Sequence, residues 1–83
     1  MKHTSPSEVF EVVKNNILEI LPKVTADMVT PEHSLSELGA NSVDRMEVIT
    51  LSMADLNLNI ALLSFAGVSN IGGLVDVLYN GQP

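Results

Sequence analysis

The sequence predicts a small all-α domain of three main helices, one short helix and a long first loop. Three observations carry that expectation. Apolar residues recur at steps of three and four in three separate segments, which is the period of a helix with one buried face. Each of these segments opens on serine or asparagine, whose side chains cap helix starts. The chain has 83 residues and a hydrophobic fraction of 46%, enough for one thin core and too much for a disordered chain.

The first helix is expected over residues 5–21. Ser5 caps it, Pro6 suits the first helical position, and Glu8 stands three residues after Ser5 as in a capping box. Val9, Val13, Ile17, Ile20 and Leu21 form the apolar stripe, widened by Val12 and Leu18, while Lys14 and Glu19 fall off it. Pro22 cannot supply the next amide donor and stops the helix. Residues 23–41 then make a connection longer than the usual loop. Its apolar residues Val24, Met28, Val29, Leu35 and Leu38 predict a loop folded back over the bundle, with a short helical turn near residues 34–38. Gly39 follows as a breaker that frees the backbone for a positive φ.

The second helix is expected over residues 42–57. Val43, Met46, Ile49, Met53 and Leu56 line up as one apolar face, with Asp44, Glu47 and Asp55 on or beside the other, together with Arg45 and Ser52. Asn57 suits the left-handed conformation that closes helices. A short helix over residues 61–66 precedes Gly67. Asn70 caps the last helix, residues 70–79, whose Ile71, Leu74, Val75 and Leu78 repeat at helical spacing. Gly72 and Gly73 in its first turn each cost about 1 kcal/mol relative to alanine. The pair is expected either of a weak helix or of one whose backbone something approaches closely.

Composition narrows the function. Without cysteine there are no disulfides, thiolate metal sites or cysteine nucleophiles. Ten acids against four bases give a net charge of −6 and a pI near 4.5. That charge repels nucleic acid and anionic membranes and points to basic protein partners. The first residues are polar rather than those of a signal peptide, and no stretch approaches the ~18 apolar residues of a membrane span. The expectation is a cytoplasmic, monomeric protein forming one domain over residues 1–83.

Catalysis finds poor material. His3 and His33 are far apart, and they match no metal-ligand spacing with the scattered carboxylates. A Ser42–His33–Asp44 triad would draw two members from one helix start, and His33 reads better as a partly solvated loop residue. There is no glycine-rich phosphate loop, and two phenylalanines with one tyrosine make no stacking platform. An enzyme is not expected. What remains is the junction Leu38-Gly39-Ala40-Asn41-Ser42-Val43-Asp44. Asn-Ser before an apolar helix is commonly a plain N-cap. The same geometry also suits an attached phosphate, because a helix N-terminus carries unpaired amide donors and roughly half a positive charge.

At this junction the chain resembles an acyl carrier protein, and the resemblance covers nearly its whole length. The signature Gly-x-Asp-Ser-Leu, with an acid soon after the serine and a glutamate one turn later, is matched by Gly39-Ala40-Asn41-Ser42-Val43 with Asp44 and Glu47. Asn41 stands in place of aspartate and Val43 in place of leucine. The resemblance implies a small acyl-carrier-like helical bundle. It also implies 4′-phosphopantetheine attached to Ser42, installed from coenzyme A by a separate phosphopantetheinyl transferase.

A narrower resemblance is to the free-standing donor carriers of β-branching cassettes in polyketide assembly lines. Arg45, three residues after the serine, carries it together with residues 53–60, Phe65-Ala66-Gly67 and Asn70-Ile71-Gly72. Ala61 stands where proline would follow Ile60. Such a carrier delivers an acetyl group, loaded directly or as malonyl, to a hydroxymethylglutaryl-synthase-like enzyme. An acyltransferase and a decarboxylating ketosynthase-like enzyme complete the implied partners. Val43, Asp44, Arg45, Met46 and Glu47 would form the recognition surface, small and weak because a shuttle must leave each partner. A general fatty-acid, polyketide or peptidyl carrier shares this chemistry with other partners. The rival from another class is an unmodified helical interaction module that binds through Met46 and Met53.

Overall fold

Ser5 starts the first helix as its spacing requires. Its hydroxyl accepts the Glu8 N–H at 3.3 Å, and the Glu8 carboxylate accepts the Ser5 N–H at 3.0 Å. The computed structural model describes residues 3–83 and is all-helical: α1 is Pro6–Ile20, α2 is Ser42–Asp55 and α3 is Ile71–Asn80. Two 3-10 turns, Ala26–Met28 and Leu62–Phe65, complete the described elements. Met1 and Lys2, in the polar N-terminus read above, lie outside the described residues.

Helix α1 is the shared wall of the bundle. Val9, Val13 and Ile17 are fully buried, and α1 packs against both α2 and α3, which touch each other little. Each such aliphatic side chain contributes about 1.5–3 kcal/mol on burial. Ile71, Leu74, Val75 and Leu78 present the matching face of α3. Truncating Ile17 to alanine would cost about 2–5 kcal/mol, the range for a large-to-small change in a core.

The long loop is folded over the bundle and latched to α3. Val24, Val29 and Leu35 are buried, whereas Met28 is 38% exposed, its sulfur accepting the Thr25 N–H at 3.5 Å. The Pro31 carbonyl accepts the Gly72 N–H at 2.9 Å, and the His33 carbonyl accepts the Ile71 N–H at 2.9 Å. Two orphan amides of the α3 start are satisfied by the loop. A Cβ on Gly72 would lie 3.2 Å from both Cβ and O of Pro31, so the approach anticipated at the glycine pair is the loop itself. His33 is half-buried, its Nδ1 2.8 Å from the Thr30 hydroxyl.

Two expectations need correction. The segment expected as a short helix over residues 61–66 is a 3-10 turn, Leu62–Phe65, whose single inward anchor is Phe65. The buried line of α2 is also rotated from the expected one. Val48 and Ser52 are fully buried, while Val43 is 66% and Met46 44% exposed. Ile49, Met53 and Leu56 are half-buried between these lines. Ser52 belongs to the core because Asn16 of α1 is buried beside it and needs partners. The Asn16 amide nitrogen donates to the Ser52 hydroxyl and to the Asp55 carboxylate, both at 3.1 Å. Among the described residues no buried side-chain nitrogen or oxygen lacks a partner.

The two ends of the described chain are tied together. Thr4 N–H donates to the Gln82 side-chain oxygen at 2.8 Å, and the Gln82 amide donates back to the Thr4 carbonyl at 2.9 Å. Gln82 is buried for that reason.

Candidate functional site

The approach to α2 is a second capping box followed by a forced turn. Ser34 N–H donates to the Glu37 carboxylate at 2.7 Å, and Glu37 N–H donates to the Ser34 hydroxyl at 3.0 Å. The Glu37 carboxyl is held below its ordinary value, by the Ser34 backbone N–H most and then by the Ser34 hydroxyl. The single turn closes with Ala40 N–H donating to the Leu35 carbonyl at 3.0 Å. Gly39 makes this possible at φ +95°, a region that side chains disfavour.

The helix start itself separates two roles that the sequence left joined. Asn41, not Ser42, is the N-cap: its side-chain oxygen accepts the Asp44 N–H at 2.8 Å. Asp44 answers by accepting the Asn41 N–H at 3.1 Å. Ser42 is the first residue of α2, it is exposed, and no hydrogen bond among the described residues engages its hydroxyl. The cap function is therefore complete without it.

Beside Ser42 opens a cleft of about 340 Å³ that sequence reasoning did not find. Helices α2 and α3 both pack on α1 and touch each other little, and the cleft is walled by α2, the Leu62–Phe65 turn and the residues that follow it into α3. Ser42, Arg45, Met46 and Ile49 form the α2 wall, and Leu62 and Phe65 of the 3-10 turn face it. The exposed apolar area of Met46 and Leu62 lies at this opening, which explains why α2 does not bury Met46 in the core.

Of the expected recognition residues, Arg45 and Met46 share the cleft with Ser42, the expected attachment residue, whereas Val43, Asp44 and Glu47 do not line it. Asp44 is half-buried and committed to the cap. Val43, Arg45 and Glu47 are exposed. Arg45 makes no ion pair among the described residues. No group of His, Cys, Asp or Glu there could hold a metal ion, and His33 forms its bonds with Thr30 and α3 rather than with Ser42. No helix of the described residues is long and apolar enough to cross a membrane.

The arrangement offers an exposed, unengaged hydroxyl at the start of a helix, next to an open, mostly apolar cleft. The residues that line the cleft with it include no histidine, aspartate or glutamate. Ser42 is accessible to a partner enzyme, and the amides and dipole of the first turn favour an anion there. The residues present thus fit a covalently attached phosphopantetheine.

Comparison with known proteins agrees with this geometry. Residues 11–78 match the family described as Phosphopantetheine attachment site. The polyketide biosynthesis acyl-carrier-protein AcpK of Bacillus subtilis (strain 168) is 49% identical over 72 residues, covering 87% of this chain and 88% of AcpK. Among solved structures, a chain from the crystal structure of the curacin biosynthetic pathway HMG synthase in complex with acetyl donor-ACP superposes with a TM-score of 0.85. It shares 38% identity, and the match covers 93% of this chain and 99% of that one. With a matching fold, a free serine at the start of α2 and a family match across most of its length, the chain belongs to the phosphopantetheine-bearing acyl carrier proteins, which carry groups for other enzymes and are not enzymes themselves.

Proposed function

We propose that the Ser42 hydroxyl carries the 4′-phosphopantetheine and that the loaded protein donates an acetyl group to a hydroxymethylglutaryl-synthase-like enzyme in polyketide β-branching. The observation that carries the attachment is the free hydroxyl: Asn41 and Asp44 complete the cap, so Ser42 has no structural task at the helix start. A phosphopantetheinyl transferase forms the bond between Ser42 Oγ and the β-phosphorus of coenzyme A. The phosphoanhydride breaks, adenosine 3′,5′-bisphosphate leaves, and the hydroxyl proton goes to the transferase or solvent. When bound, the group supplies a terminal thiol that holds the acyl chain as a thioester.

The donor role is supported by the likeness to AcpK and to the chain in the curacin complex. In that role an acyltransferase loads acetyl directly, or loads malonyl that a ketosynthase-like enzyme converts to acetyl with loss of CO2 and uptake of a proton. The protein works as a monomer in the cytoplasm, and Val43, Asp44, Arg45, Met46 and Glu47 form its recognition surface around Ser42. Exposed Val43 and Met46 supply small apolar contacts, while Glu47 attracts a basic rim.

Intact mass after treatment with coenzyme A and a broad-specificity transferase tests the attachment: one phosphopantetheine is expected on the wild type and none on Ser42→Ala. Without a mass gain, the unmodified interaction module becomes the reading. The acetylated form is then mixed with a hydroxymethylglutaryl-synthase-like enzyme and, separately, with a fatty-acid ketosynthase. Preferential acetyl transfer to the synthase is expected, and the reverse preference makes this a general carrier.

A further inference from the structure

We infer that Arg45 is an internal clamp for the prosthetic group, pairing with the phosphodiester on Ser42 of its own chain and holding the arm toward the cleft between α2 and the Leu62–Phe65 turn. The inference rests on Ser42 being the attachment point and goes beyond it to a positioning residue.

Arg45 lacks an anionic partner where a helix would provide one. Residues three and four apart are neighbours on a helix surface. For Arg45 these are Asn41 and Ser42 on one side, Val48 and Ile49 on the other, and none is acidic. Asp44, its neighbour in sequence, is tied to the Asn41 amide. Arg45 accordingly makes no ion pair among the described residues. Its charge also sits in the first turns of α2, the end of a helix where a cation is unfavourable.

A phosphodiester on Ser42 removes this mismatch. It would place a negatively charged oxygen three bonds beyond the Ser42 Cβ, on the residue one turn before Arg45. Guanidinium and phosphate match as a planar donor fork and paired acceptor oxygens, so the contact is a charge-assisted hydrogen bond, stronger than a neutral one. Direction follows from the cleft. Ser42 and Arg45 both line its α2 wall, with Met46 and Ile49 further along, so a phosphate drawn to Arg45 is drawn to the cleft side of the helix. The lysines are at positions 2, 14 and 23, which leaves Arg45 as the one permanent cation in the remaining sixty residues.

The chain has a single arginine, so its Nε–Hε resonance in a 15N-correlated spectrum is assigned without ambiguity. Apo and phosphopantetheinylated protein are compared after intact mass has confirmed the modification. The Arg45 Hε signal is expected to move downfield and exchange more slowly with water in the modified form, with high salt reversing part of the change. The 31P resonance of modified Arg45→Gln is expected to differ from wild type, with Arg45→Lys intermediate because it keeps the charge and loses the fork. A mass gain with an Arg45 Hε signal identical in apo and modified protein, or a 31P signal indifferent to Arg45→Gln, overturns the clamp alone. Absence of the mass gain on wild type overturns the Ser42 attachment and the clamp together.

Discussion

Replacing Asn41 and Ser42 separately by alanine should split the helix start into a structural half and a chemical half. Asn41→Ala removes the side-chain oxygen that accepts the Asp44 N–H at 2.8 Å, leaving an orphan donor in the first turn. Loss of such a cap costs about 0.5–2 kcal/mol, typically about 1. For a domain of this size, about 1 kcal/mol lowers Tm by about 4–8 °C. Ser42→Ala removes an exposed hydroxyl with no hydrogen bond among the described residues. Its cost should stay within about 0.5 kcal/mol, the usual limit for a surface change. Melting the two apo variants beside wild type by circular dichroism measures the first half. Intact mass after transferase treatment measures the second: Asn41→Ala still gains phosphopantetheine and Ser42→Ala does not. If Ser42→Ala melts as low as Asn41→Ala, the cap is shared and the division of roles is wrong. If Ser42→Ala gains the mass, the attachment lies elsewhere.

Glu47→Lys reverses an exposed charge near Ser42 and should slow acetyl transfer to a synthase with a basic rim. The difference from wild type should shrink with salt, because exposed charges are screened over about 10 Å at 0.1 M; equal rates across the series would remove Glu47 from the interface. Arg45→Glu should slow the same transfer with little effect on thermal stability, read as a rate by intact mass on identically loaded proteins, and an unchanged rate would withdraw Arg45 from partner choice. Asn16→Leu should cost about 1–3 kcal/mol by leaving the buried Ser52 hydroxyl without its donor, and adding Ser52→Ala should recover part of that in a denaturant titration. The Glu8 and Glu37 carboxyls are held below their ordinary value of 4.5, chiefly by the Ser5 and Ser34 backbone N–H groups respectively. A carboxyl lowered in the folded state stabilises above its unfolded pKa and loses that contribution as pH falls through the folded one. Melting temperature should therefore decline below about pH 4.5, less steeply in Glu8→Gln/Glu37→Gln than in wild type.

Much of this architecture is legible because helix starts are written locally. Ser5 with Glu8, and Asn70 before Ile71, each carry their hydrogen bonds within four residues, so spacing alone locates them. Ser34 and Glu37 repeat the Ser-x-x-Glu pattern of Ser5 and Glu8, and that signal could have located the capped turn before Gly39. The buried line of α2 was not legible in the same way. Apolar periodicity selects Val43 and Met46, but both are exposed, Met46 at the mouth of the cleft. Periodicity places Ser52 on the polar side, because its burial depends on Asn16, thirty-six residues earlier. The pointer was Asn16 itself, a polar side chain on the same stripe as Val9, Val13 and Ile17 that must find a partner if buried. The cleft was illegible for a related reason: α2, the Leu62–Phe65 turn and residues 34–36 wall it from separate parts of the chain, and no residue type signals a gap.

The bond pair between Thr4 and Gln82 joins positions 78 apart, almost the full contour of the chain. Topologically the fold is a ring with one nick in it, and nothing in the helix packing requires the nick to be where it is. A short peptide linking the two ends could replace the hydrogen-bonded seam, and the ring could be reopened at Asn59 or Gly67, both exposed and outside the helices. All three helices would survive such a circular permutation uncut, as they do in domains whose ends lie together. Reopening at Gly67 would free the Leu62–Phe65 side of the cleft from its covalent link to α3 while leaving Ser42 and Arg45 on an unbroken α2. The wall opposite the serine could then be varied in length and sequence as a terminus, independently of the helix that bears the attachment site.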